Sequence, residues 1–92
     1  MRIQTYAVFD KAVSAFLQPF YARTRGEALR SFVQACNEEG SQFNRHAADY
    51  VMFFVGEFDD QSGMYHPQEP ERVIGALECR EADIFPAAKQ TN

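Results

Sequence analysis

Between Thr24 and Gly40 the apolar residues recur at helical spacing. Ala28, Leu29, Phe32, Val33, Ala35 and Cys36 form one stripe, while Arg25, Arg30, Ser31, Gln34 and Asn37 fall mainly on the other side. The pattern predicts a helix over residues 25–39 with one buried face. Thr24 suits the cap position and Glu27 stands three residues later, the spacing of a capping box, in which each side chain satisfies a backbone N–H left unpaired by the first turn. Gly40 stands where a left-handed residue ends a helix, and Glu38 and Glu39 oppose the dipole there, which favours fraying of the last turn.

Elsewhere the period changes from helical to alternating. Residues 3–9 divide into Ile3/Thr5/Ala7/Phe9 and Gln4/Tyr6/Val8, both with β-favouring members, and predict a first strand. Asp10, Lys11 and Ser14 mark a turn, after which residues 16–23 read as a second strand, antiparallel to the first. Pro19 cannot donate to a ladder, so this strand belongs at an edge. Residues 41–49 read as a loop anchored by Phe43 against the helix end. The unbroken apolar run from Tyr50 to Val55 predicts a central strand covered on both faces, because a half-exposed strand would alternate. Asp59, Asp60, Gln61, Ser62 and Gly63 predict a hairpin turn into a short strand at residues 64–66. Pro67 and Pro70 interrupt the chain beyond that strand, and residues 72–79, with Val73, Gly75, Leu77 and Cys79 in alternation, read as a last strand.

The expected order is β-β-α-β-β-β: an α+β domain over residues 1–85, with a small, mostly antiparallel sheet, one helix packed on one face, and a disordered tail at residues 86–92. A 15-residue helix spans about 22 Å and a seven-residue strand about 23 Å, so one helix can lie along one face. The other face, carrying the surplus of the nine Phe and four Tyr, then needs cover. A second copy of the chain would supply it, making a homodimer, and a stack of nucleic-acid bases is the alternative.

Composition narrows the chemistry. With 46% hydrophobic residues the 92-residue chain can build a core without metals or disulfides, so Cys36 and Cys79 are expected as buried thiols and no cofactor is expected. No apolar run approaches the roughly 20 residues of a membrane helix, and the alternating start is unlike a signal peptide. His46 and His66 lie in loop or turn sequence without a nucleophile motif, so no enzyme is expected. Cys36, His46, His66 and Cys79 are too scattered for a zinc site, and the acidic turn at residues 57–63 lacks the ligand spacing of a calcium loop. Charge is uneven within a net of −4. Residues 1–46 set Arg2, Lys11, Arg23, Arg25, Arg30 and Arg45 against Asp10, Glu27, Glu38 and Glu39, a net of +2. Residues 47–92 set Arg72, Arg80 and Lys89 against Asp49, Glu57, Asp59, Asp60, Glu69, Glu71, Glu78, Glu81 and Asp83, a net of −6. That balance argues against strong non-specific nucleic-acid binding but permits a local basic patch. The start of the helix is such a patch: Phe20 and Tyr21 offer rings, Arg23, Arg25 and Arg30 offer guanidinium groups, and the helix N-terminus offers unpaired N–H groups to a phosphate. The same arginines can equally form a solvated face or pair with the acidic half.

Two separated stretches, QPFYARTRGEALRSF and DYVMFFVGEFDDQSGMY, resemble the small nonstructural protein of gokushovirus-type microviruses, phages with single-stranded circular DNA. The resemblance runs from about Ile3 to Cys79 and is best marked at Pro19-Phe20, Gly26-Glu27-Ala28 with Arg30, and Gly56-Glu57-Phe58-Asp59 with Gly63. It implies a DNA-binding or replication-associated protein of the host cytoplasm, absent from the mature capsid. The expected partner is single-stranded DNA held by Phe20, Tyr21, Arg23, Arg25 and Arg30, or a phage or host replication protein in a complex on that DNA. The expected alternative is a dimeric interaction module without nucleic acid. The net acidity speaks against a basic DNA condenser.

Overall fold

The structure, a computed structural model, describes residues 1–81. The chain runs β1 (Arg2–Asp10), β2 (Ala15–Phe16), β3 (Phe20–Ala22), α1 (Arg25–Asn37), α2 (Gln42–Arg45), a 3-10 turn (Ala47–Asp49), β4 (Tyr50–Asp59), β5 (Tyr65–Gly75) and α3 (Ala76–Glu81). All strand pairs are antiparallel. The sheet order is β2-β1-β4-β5, and β3 also pairs with β1. This is the expected α+β fold with β4 inside the sheet. The expected end of the domain at residue 85 and the tail at residues 86–92 lie outside the described residues.

Three elements differ from the sequence reading. The second strand is two short pieces, because Pro19 cannot donate and the pairing lapses between Leu17, whose N–H still bonds Val8 O at 2.8 Å, and Phe20; both pieces still lie at an edge, as expected. Residues 41–49 fold into α2 and the 3-10 turn, with the Ser41 hydroxyl accepting from Asn44 N–H at 3.1 Å. Phe43 is nonetheless the anchor, 5.7 Å from the Phe32 ring and 4.8 Å from Tyr50. At the C-terminal side, β5 runs unbroken through Pro67 and Pro70 and ends at Gly75, and a further helix takes the place of the expected last strand. Both prolines are tolerated because β5 is an edge strand. The helix begins where it does because the Glu78 carboxylate reaches back to Gly75 N–H at 2.9 Å and also takes the Arg72 guanidinium.

In α1 the Thr24 hydroxyl accepts from Glu27 N–H at 3.1 Å, while the Glu27 carboxylate turns one residue further back, to Arg23 N–H at 3.0 Å. The helix stops at Asn37, earlier than expected, and its last carbonyls are met by side chains: Ser41 Oγ donates to Ala35 at 2.7 Å and Asn44 Nδ2 to Cys36 at 2.9 Å. Ala28, Phe32 and Cys36 are its buried residues. They meet Tyr6 and Val8 of β1 and Tyr50 and Met52 of β4, with Ala76 and Cys79 of α3 closing one end. Cys36 and Cys79 are free, enclosed and hydrogen-bonded to each other; that bond and burial push the Cys36 thiol well above its ordinary range.

The register fixes what each face carries. Tyr6, Val8, Met52 and Phe54 point toward the helices, and their neighbours Thr5, Ala7, Phe9 and Phe53 point away. Tyr6 pairs with Phe54 but Thr5 with Gly56, so Val55 is an extra residue in β4. Gly56, at φ 141°, is required here: a Cβ would fall 2.5 Å from His66 O. The turn into β5 closes as expected, with Gly63 N–H bonded to Asp59 O at 2.8 Å and the Asp59 carboxylate accepting from Gln61 N–H at 2.9 Å.

Glu78 is held below the ordinary glutamate range by Arg72, then by Gly75 N–H. Replacing it with alanine should destabilise the fold at neutral pH by about 0.5–1 kcal/mol. Because the folded-state value is lowered, the wild-type advantage should be complete above the ordinary value of 4.5 and vanish as the pH falls through the lowered one. Urea titrations of both proteins across that window measure it.

Candidate functional site

The five residues expected to bind DNA are not gathered into one patch. Phe20 and Tyr21 are adjacent in β3, so strand alternation sends them to opposite faces. Phe20 turns inward, half-buried, with its ring 6.0 Å from Tyr6. Tyr21 turns to the helix-free face and is exposed. Arg25 lies on the helix side, its guanidinium 5.8 Å from the centre of the Phe54 ring and 3.5 Å from Glu71. Arg30 is exposed on α1, and Arg23 is exposed beside the cap. Arg2 and Arg72 are also tied to carboxylates, those of Glu57 and Glu78, so much of the guanidinium charge is locally matched.

The helix-free face carries an arrangement the sequence reading did not assemble. At one end Phe9, Phe16 and Phe53 pack edge to face, with centroids 4.9, 5.5 and 6.4 Å apart. At the other end Phe58 lies between two tyrosines, 5.9 Å from Tyr21 and 4.8 Å from Tyr65. Phe16, Tyr21 and Tyr65 are 44%, 47% and 58% exposed, far more than core rings. Tyr21 stands on β3 and Tyr65 on β5, with β1 and β4 between them. Their backbones are therefore about 14 Å apart across the sheet, yet their hydroxyls meet at 2.8 Å. The two side chains form an arch over Phe58, and the hydroxyl bond raises the Tyr21 pKa.

Thr5 lies on the same face, between its register partners Tyr21 and Gly56. It is 6% exposed, and its hydroxyl oxygen is sealed without a hydrogen-bond partner. Such an atom is costly, since burial has removed its water and nothing replaces it. The alternation of Ile3, Thr5, Ala7 and Phe9 did mark one face of β1, but the extra residue Val55 is what moves Phe58 onto it, and no pattern in the apolar run announces that shift.

A family model described as phage ORF5 protein matches residues 3–79. The chain belongs to the phage ORF5 protein family. The match covers the sheet from Ile3 onward, α1 and the start of α3, so the rings of the open face all lie within the family region. No curated protein and no solved structure matches the chain. Among the described residues of this family member, no three or more His, Cys, Asp or Glu groups stand together as a metal site, and no helix is long and apolar enough to cross a membrane.

Thr5→Val keeps the shape of the side chain and removes the unpartnered hydroxyl. It should stabilise the fold by about 1 kcal/mol, read as a higher urea midpoint with an unchanged slope.

Proposed function

We propose that this phage ORF5 family member is a nonstructural, non-enzymatic protein of a gokushovirus-type microvirus. In this reading it works in the host cytoplasm during genome synthesis, binding single-stranded DNA on its open sheet face. The observation that carries the reading is the exposure of Phe16, Tyr21 and Tyr65 on the face of an antiparallel sheet whose other side is covered by helices. Rings presented this way stack on unpaired bases, the geometry of sheet-based single-strand binders. The site of the expected binding moves accordingly: Tyr21 is kept, Phe20 becomes a core ring, and Phe58 and Tyr65 are added. Lys11 and Arg23, both exposed, stand at opposite ends of the segment of β1 that pairs with the edge pieces, placed to take phosphates of a strand crossing the face. Arg25 and Arg30 border the helix side and are secondary. A phage or host replication protein is then a further partner on the same genome.

A second reading has its own support. Phe9, Phe16 and Phe53 form a wholly hydrocarbon cluster beside buried Ala7 and Val51, a surface suited to a second copy of the chain or another protein.

Fluorescence anisotropy with a labelled single-stranded oligonucleotide separates the two. On the DNA reading, binding weakens with salt, and the Lys11→Glu, Arg23→Glu double variant binds less tightly with a salt slope shallower by about 1.4, the value for two phosphate contacts. Absence of binding at low salt rejects it. Light scattering that gives twice the 10.5 kDa chain mass, in a protein that ignores DNA, favours the dimeric module.

A further inference from the structure

Thr5, buried and unpartnered at its hydroxyl, is the register partner of Tyr21, one leg of the tyrosine arch. We infer that the Tyr21–Tyr65 arch opens to form a slot for a single nucleobase, with Phe58 as its stacking floor and Thr5 Oγ1 as its hydrogen-bonding group. The inference rests on the single-stranded DNA reading and sharpens it from a face to one position on that face.

The geometry supplies each part. The hydroxyl bond that closes the arch is 2.8 Å long and exposed, so both hydroxyls can exchange it for water at little cost. Separating them leaves two rings flanking Phe58, whose present centroid distances of 4.8 and 5.9 Å are those of rings already in van der Waals contact. Closed, the three rings leave no room between them; a planar aromatic ring is the body that can enter once the tyrosines part. An apolar ring alone would leave Thr5 Oγ1 unpaired. A nucleobase brings carbonyl oxygens, ring nitrogens and amino groups at its edge, and a hydroxyl can donate to the first two or accept from the third. The slot would therefore tolerate any base while requiring that one be present. Thr5 itself sits between Tyr21 and Gly56, where no side chain on the Gly56 side competes for the space. Closed, the arch keeps both tyrosine rings on Phe58; open, it exchanges an internal tyrosine pair for contacts with the strand.

The test compares a thymidine strand with an abasic strand of the same length and charge, by anisotropy at fixed salt. Wild type should bind the thymidine strand at least about tenfold more tightly, from the stacking of one or more bases. Thr5→Val should weaken thymidine binding about three- to tenfold, the range for one hydrogen bond, and leave abasic binding unchanged. Tyr21→Phe keeps the ring but unlatches the arch, so it should bind thymidine as well as wild type or better, whereas Tyr21→Leu should bind it less well. Equal affinity for the two strands, an unaltered Thr5→Val, or a Tyr21→Phe as weak as Tyr21→Leu would overturn the slot and leave the DNA reading standing. Failure to bind either strand would overturn both.

Discussion

Val55 has no partner on β1, and the distribution of aromatic rings depends on that one irregularity. Before it, the even positions of β4 face the helices: Tyr50, Met52 and Phe54 belong to the core or pack against it. After it, Phe58 pairs with Ile3 and lies on the opposite side. A regular strand would have kept Phe58 with Phe54, and the helix-free face would have held one ring cluster where it holds two. Glycine at position 56 is the condition for this, since the β5 backbone closes to a distance that a methyl group could not share. The bulge thus couples local backbone geometry to what the molecule presents.

The sheet is lopsided in consequence. Tyr6 and Met52 are completely enclosed on the helix side, where α1 and α3 supply apolar cover. On the other side Thr5, Ala7 and Val51 are buried only because larger neighbours stand around them, and those neighbours remain in contact with solvent. Hydrophobic burial explains the first arrangement without further help. The second leaves ring area in water and a hydroxyl without a partner, a combination that stability alone does not select. It is the physical ground for placing function on this face, away from the helix start, where Arg25 is paired with Glu71.

How much was legible depends on the range of the interactions involved. Thr24 and Glu27 announced α1 because a cap is a contact over three residues, and the run from Tyr50 to Val55 announced an interior strand because burial on both sides removes alternation. Residues 72–79 misled because Val73, Gly75, Leu77 and Cys79 mimic a strand period; the opposing signal was Glu78, three positions after Gly75, the same cap spacing read correctly at Thr24. The candidate site residues are scattered for a related reason. Phe20 and Tyr21 are neighbours in the chain and opposites in the strand, and the partner that occupies Arg25 is Glu71, 46 residues away. The Tyr21–Tyr65 bond spans 44 residues and depends on a register shift, so no local pattern contains it.

The prolines of this chain define what the sheet is unable to do. Pro19 interrupts one border of the sheet, and Pro67 and Pro70 lie within the strand at the other. Each removes an amide that an incoming strand would need, so neither border offers a continuous row of donors for another chain to copy. Growth by strand addition is disfavoured at both borders. With rings exposed on the sheet face, the geometry left open to another molecule is face-on contact, which ends after one partner has docked, and the one disfavoured is edge-on contact, which does not end.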